Sequence, residues 1–216
     1  MTPAIRAVLF DFGGVILSSP IDGFRAYELG ASLPAGFIQR LNTIDPHSNA
    51  WACMERGELD EATFHRRFEA EGLAQGYAFD SRAVLGQLAG EIRPAMVDAV
   101  RHLRGRYRVA CLTNNMPLAF GSAMAATPER AAEIAEVMAL FDHVVESSKI
   151  GMRKPEPRFY VRACEIVGVA PEHCVFLDDL GINLKPARAL GMTTIKVGDP
   201  AVALTELEAV LGHTVR

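Results

Sequence analysis

The chain has 216 residues, half of them hydrophobic, with 22 basic and 26 acidic side chains and a formal net charge of −4. That is enough for one substantial core plus a smaller appended module, and without a dense basic run nothing attracts a nucleic-acid backbone or an anionic membrane surface. No apolar run approaches the roughly 18–20 residues of a membrane span, and Asp11 interrupts the N-terminal apolar stretch, so the expectation is a soluble, cytoplasmic protein without a signal peptide.

The first element is Ala7-Val8-Leu9-Phe10, an apolar run suited to a strand buried on both faces of a parallel sheet. It ends at Asp11, followed by Gly13 and Gly14, whose backbones can turn sharply and present amide groups to an anion. An aspartate before glycines is also an ordinary turn, so this stretch alone assigns nothing. From Ser18 to Glu91 the pattern changes to short helical segments separated by Gly and Pro, which reads as a helical insertion. Its clearest helix is capped by Asp60 and carries Phe64, Phe68 and Leu73 on an apolar face. Just before it, Trp51, Met54 and Arg56 either face a substrate or serve surface packing.

From Arg93-Pro94 the pattern is regular. A proline-opened helix through Val97, Val100 and Leu103 leads into a strand over Tyr107–Leu112 that runs into Thr113-Asn114-Asn115. Thr127-Pro128-Glu129 starts a helix with Ile134, Val137, Met138 and Phe141 inward. A short strand over Asp142–Glu146 precedes a cation- and proline-rich loop, Ser147 to Pro157, that contains Lys154. After a helix presenting Phe159, Tyr160, Ala163, Cys164 and Val167, a fourth strand, Cys174–Leu177, ends in Asp178-Asp179. A helix over Leu184–Leu190, a strand over Thr193–Val197 and a terminal helix over Ala201–Leu211 complete the alternation. Cys53, Cys111, Cys164 and Cys174 lack paired short spacings and read as free thiols, and the six histidines show no metal-binding spacing.

Alternating strands and helices predict an α/β fold, a doubly wound parallel sheet. The core is expected over 1–17 and 92–216, with 18–91 as an inserted helical cap. Ligands bind beyond the carboxyl ends of such strands. Asp11, Thr113-Asn114, Lys154 and Asp178-Asp179 are therefore expected to meet in one crevice.

With those residues in hand the sequence resembles the haloacid dehalogenase (HAD) superfamily. Its four motifs are a nucleophilic Asp after the first strand, a Ser or Thr after the second, a Lys, and an acidic pair after the fourth. More closely, Leu112-Thr113-Asn114, Gly151-Met152-Arg153-Lys154-Pro155-Glu156-Pro157 and Phe176 to Arg188 are similar to the phosphatase-like N-terminal domain of soluble epoxide hydrolase and its bacterial relatives. The likeness is weakest over Ser18 to Glu91, where only Arg56-Gly57-Glu58 and the helix after it are familiar.

The resemblance implies a magnesium-dependent phosphatase acting on a small phosphorylated metabolite. Asp11 would be the nucleophile, and Mg2+ would be held by Asp11, the Gly13 carbonyl and Asp179, with Asp178 beside them orienting water or Lys154. Thr113 and the backbone amides near Asn114 and Gly14 would bind phosphoryl oxygens, and Lys154 would neutralise charge. One position departs from the pattern. Such phosphatases commonly carry a second Asp, the general acid/base, two residues after the nucleophile, where this chain has Gly13. Three explanations stand: substrates with good leaving groups such as anomeric or acyl phosphates, a proton supplied by a cap residue such as Asp45 or His47, or loss of activity. The rival readings are a 2-haloacid dehalogenase using the same Asp11, and a catalytically quiet phosphate-binding module.

Overall fold

The computed structural model describes residues 4–118, 121–122, 125 and 127–215. Strand β1 (Ala7–Phe10) is followed by a wide turn at Phe12–Ile16 and then by five helices: α1 (Ile21–Gly30), α2 (Phe37–Leu41), α3 (Ala50–Glu55), α4 (Glu61–Ala74) and α5 (Ser81–Gly86). Helix α6 (Pro94–Leu103) leads into β2 (Arg108–Thr113), and a small antiparallel pair, β3 (Pro117–Leu118) with β4 (Gly121–Ser122), precedes α7 (Pro128–Met138). The remainder is β5 (His143–Glu146), α8 (Ser147–Ile150), α9 (Pro157–Val167), β6 (Cys174–Asp178), α10 (Gly181–Ala189), β7 (Thr193–Lys196) and α11 (Pro200–Leu211).

Five strands form one parallel sheet in the order β5-β2-β1-β6-β7, with β1 at its centre. Because side chains alternate along a strand, Val8 and Phe10 join a cluster with α6, α7 and α11 on one face, and Ala7 and Leu9 join α9 and α10 on the other. Both faces of β1 are fully buried, which is why it reads as an unbroken apolar run. Prolines open α6, α7, α9 and α11, and Thr127 and Asp199 cap two of these by accepting amide hydrogens of the first turn.

A third cluster unites the helices between β1 and α6 around Phe24, Phe37, Trp51, Met54, Phe64 and Phe68. Asp60 caps α4, its carboxylate accepting from Thr63 N at 2.7 Å. Phe64 and Phe68 point inward, but Leu73 does not: the i, i+4 series continues to Gly72, and Leu73 is 65% exposed. Trp51 and Met54 are buried in this cluster, and Arg56 is tied to Glu58 and Glu156. Trp51 and Met54 thus pack within the helical block, and Arg56 is ion-paired.

The two chain crossings between this helical block and the sheet meet at one place. Leu17 and Ile92 form an antiparallel bridge, Ser18 N donates to Glu91 O at 2.8 Å, and Arg93 Nη1 reaches the Gly14 carbonyl at 2.7 Å. Three departures from the sequence reading bear on the site. The β3–β4 pair is unannounced by any period-2 run, Ser147–Ile150 is a helical turn rather than loop, and α10 begins at Gly181, only Leu180 separating it from the acidic pair. All four cysteines are buried and free. No helix among the described residues is long and apolar enough to cross a membrane.

Candidate active site

Register brings the carboxylates together. Phe10 is level with Leu177 of β6 and Cys111 of β2, so the next residues along, Asp11 and Asp178, leave adjacent strands side by side. Asp11 N donates to Leu177 O at 2.8 Å, which fixes where its side chain emerges. Thr113 closes β2 at the same rim, 2% exposed. One carboxylate oxygen from each of Asp11, Asp178 and Asp179 lies within 4.8 Å of the others.

Lys154 comes from farther away, from the segment after β5, which must cross the end of β2 to reach Asp11. It does so completely: Nζ lies 2.7 Å from Asp11 Oδ1 and 2.8 Å from Asp178 Oδ2, over the Phe176 ring, and the side chain is 1% exposed. Asn114 makes the crossing possible. Its Oδ1 accepts from Lys154 N and its Nδ2 donates to Lys154 O, both at 2.9 Å, so the side chain clamps the lysine's backbone. The next residue, Asn115, binds Ser148 N at 3.1 Å through its side chain and Ser147 Oγ at 3.0 Å through its backbone amide. The Thr-Asn-Asn run thus fastens β2 to the lysine-bearing segment at two points.

Asp178 is wholly buried. It accepts from Lys154, from Leu180 N at 2.8 Å, and from Asn183 Nδ2, which is 3.1 Å from each carboxylate oxygen. Asp179 is less enclosed and accepts from Ser19 Oγ at 3.2 Å. Beneath it lies Gly14 at φ 78°, and a Cβ there would collide with the Asp179 carboxylate, so this position needs glycine for both conformation and space. Gly13 differs: at φ −68° and ψ 131° its backbone suits any residue, and a Cβ would meet nothing within 4 Å.

Three carboxylates against one ammonium make a formal −2 in a largely buried cluster. Burial, and then the charges of Asp178 and Asp179, push the Asp11 carboxyl up against the opposing pull of Lys154. Burial and the neighbouring Asp178 likewise push Asp179 up, to about 6. Burial alone would lower Lys154, but Asp11 and Asp178 outweigh it and hold the ammonium protonated. An all-oxygen donor set with surplus negative charge suits a hard divalent cation.

Asp45 and His47 are not among the groups paired around Lys154. His47 lines an open cleft of about 650 Å3 with Arg56, Glu58, Glu156 and Arg158, and Asp45 turns the loop just before it. Two residues that sequence reasoning passed over do belong to the surroundings. Asn183 orients Asp178 from the first turn of α10, and its place five residues after Asp178 was the available signal. Glu55, at the end of α3, reaches Asn114 from the helical block, and nothing in its local sequence announces that.

The likeness to known proteins runs along the whole chain. It is 33% identical over 214 residues to acyl-CoA dehydrogenase family member 10 of Mus musculus, covering 96% of this chain and 19% of that protein. It is 31% identical over 220 residues to bifunctional epoxide hydrolase 2 of Sus scrofa, covering 97% of this chain and 39% of that protein. The chain therefore spans well under half the length of these two relatives. A phosphatase of Mycobacterium tuberculosis is 32% identical over 210 residues, covering 88% of this chain and 85% of that one. Among solved structures, a predicted HAD-like hydrolase from Porphyromonas gingivalis superposes with a TM-score of 0.63 at 26% identity, over 95% of this chain and 98% of that one. A HAD family enzyme from Bacteroides thetaiotaomicron, in complex with magnesium and inorganic phosphate, has a TM-score of 0.59 at 22% identity, over 91% and 96%. The L-2-haloacid dehalogenase of Xanthobacter autotrophicus, with chloropropionic acid covalently bound, shares the fold at a TM-score of 0.60 and 18% identity, over 95% and 82%. By its sheet order, these likenesses and its match to the family over residues 5–191, the chain belongs to the haloacid dehalogenase-like hydrolases.

Proposed function

We propose that this hydrolase is a magnesium-dependent phosphatase acting on a small phosphorylated metabolite, with 18–91 as a cap over a core formed by 1–17 and 92–216. The observation that carries the reading is the acidic pair: Asp178 and Asp179 stand beside Asp11 and Lys154 with surplus negative charge. Displacement of halide from carbon by Asp11 needs no metal, and so gives no role to a second acid, Asp179, next to the Asp178 that pairs with Lys154. Phosphoryl transfer does, since it needs cationic charge on the phosphoryl oxygens. The phosphatase among the relatives and the magnesium and phosphate bound by the Bacteroides enzyme support the same choice.

Asp11 attacks phosphorus, forming an aspartyl-phosphate as the leaving oxygen departs, and water then cleaves it to regenerate Asp11 and release inorganic phosphate. Asp11 Oδ1, held by Phe12 N at 2.6 Å and by Lys154, keeps the carboxylate in a single orientation for that attack. Thr113 and the backbone amides of Gly14 and Asn114 bind phosphoryl oxygens, and Lys154 offsets the charge that develops on them. Asp11, the Gly13 carbonyl and Asp179 would hold Mg2+, while Asp178 holds Lys154 in place. The bound ion supplies charge neutralisation at the phosphoryl group. Gly13 provides no proton, which favours substrates with good leaving groups, such as anomeric or acyl phosphates.

The test pairs two substrates. Inorganic phosphate released from p-nitrophenyl phosphate should depend on Mg2+ and stop with EDTA, while 2-chloropropionate should yield no halide. Metal-independent halide release would reverse the assignment.

Thermal unfolding gives a check without turnover. Asp179 is raised from the ordinary 3.8 to about 6, so the metal-free folded state holds a proton that the unfolded chain has lost. This group's contribution to stability therefore falls as pH rises through that window. Mg2+ requires the deprotonated form, so its effect runs the other way. The Mg2+-induced rise in Tm should be clearly larger at about pH 7.5 than at about pH 5, and a pH-independent increment would remove Asp179 from the ligand set.

A further inference from the structure

Glu55 is a buried carboxylate of the helical block that the proposed chemistry leaves unused, and it accepts donors from three directions. Its Oε1 takes the indole N–H of Trp51 at 2.9 Å, one turn back along α3. Its Oε2 takes Asn114 Nδ2 at 3.0 Å and pairs with Arg153 Nε. Asn114 is the residue that clamps both backbone groups of Lys154, and Arg153 is that lysine's neighbour. One continuous polar chain therefore runs from Trp51 through Glu55 and Asn114 to the backbone of Lys154, whose ammonium touches Asp11. The approach is close on the other side too: at Gly57 a Cβ would run into the Ser148 carbonyl, so α3 and its following turn lie directly on the lysine-bearing segment.

The donor count says why the residue is a glutamate. Three N–H groups converge on one side chain, and a carboxylate offers about four lone-pair sites and no hydrogens. A glutamine in the same place turns one of its own N–H bonds against a donor. An aspartate keeps the charge but is one methylene too short to span from α3 to Asn114. An ion pair needed only to hold the helical block on the core would require Arg153 and Glu55 alone; the Asn114 contact adds a link to the backbone that carries the Lys154 side chain.

We propose that Glu55 is a positioning residue for the phosphoryl-transfer reaction, acting through Asn114 to set where Lys154 stands against Asp11. This rests on the phosphatase reading above. A displacement of about 1 Å in a charge-stabilising group costs up to about a hundredfold in rate. E55Q and E55D should each lower kcat on p-nitrophenyl phosphate by about 10- to 100-fold, with KM changed by less than about threefold.

The closing experiment is a double-mutant cycle of E55Q and E55D with N114A, read as kcat with Mg2+ saturating, beside Tm by circular dichroism. If Glu55 acts through Asn114, each double variant is no slower than N114A alone. Multiplying kcat losses, or an E55D that keeps wild-type kcat, would mean that Glu55 merely anchors Arg153 and would overturn the proposal. Should the wild type bind phosphate mimics without turnover, the same cycle is read as affinity for beryllium fluoride by fluorine NMR, with the same non-additivity expected. Wild-type turnover with an unaltered kcat in E55Q sinks the coupling and spares the phosphatase. A wild type that neither turns over nor binds beryllium fluoride sinks both.

Discussion

Asp11→Asn abolishes phosphate release, by about 10^4-fold or more, while leaving the thermal midpoint of the metal-free protein equal to or above that of the wild type. The amide is nearly isosteric and keeps an oxygen for Phe12 N–H, which donates at 2.6 Å. It cannot form an acyl phosphate at a useful rate. Stability moves the other way for an electrostatic reason. Asp11 is one of three carboxylates gathered around a single ammonium, and burial together with Asp178 and Asp179 already disfavours its charge. Removing that charge leaves Lys154 still paired with Asp178 at 2.8 Å, so no buried cation is stranded. On the phosphatase reading, a carboxylate whose charge its surroundings disfavour is a cost the fold bears for function. Measuring kcat and Tm on the same preparation decides the matter: a variant that keeps turnover removes Asp11 from the mechanism, and one that loses turnover only by unfolding contradicts the charge argument.

How much of this was legible in the sequence depends on whether a feature is local. Ala7–Phe10, Cys174–Leu177 and the proline-opened helices declare themselves because burial on both faces and first-turn chemistry act on neighbouring residues. The convergence of Asp11 and Asp178 follows almost as directly, since parallel strands end on one rim whatever lies between them, whereas Lys154 is brought there by the segment after β5. Side-chain direction across elements is harder. Asn114 looks like a ligand-binding residue from its strand-end position, yet its side chain turns sideways to the Lys154 backbone, because the lysine segment arrives from beyond β5 and has to be caught at β2. Glu55 was hidden for the same reason, since its partners lie 59 and 98 residues away in the chain. Leu73 misled by sitting one residue off a real stripe. The start of α10 is not marked in the sequence because Leu180-Gly181-Ile182 lacks an N-cap side chain, whereas the helix is anchored there by Asp178, whose carboxylate takes Leu180 N and Asn183 Nδ2.

Gly13→Asp raises kcat on phosphate esters with poor leaving groups by about 10^2- to 10^4-fold, the range of a well-placed general acid. The position tolerates the change on both steric counts. Its φ of −68° and ψ of 131° are ordinary for a side-chain-bearing residue, and the space where a Cβ would stand is empty to 4 Å. It is also two residues from Asp11, on the turn that leads away from the strand end. The backbone carbonyl that the Mg2+ site would draw on is retained. The gain should depend on the leaving group: large for an alkyl phosphate, whose alkoxide must be protonated as it departs, and small for p-nitrophenyl phosphate, whose phenolate leaves unaided. Plotting log kcat against leaving-group pKa for both proteins makes the comparison quantitative, with a steep slope in the wild type and a shallow one in G13D. Equal slopes would mean that another group already delivers the proton in the wild type. A wild type inactive on every ester, with G13D active, would instead identify the natural chain as a phosphate-binding module one side chain short of catalysis.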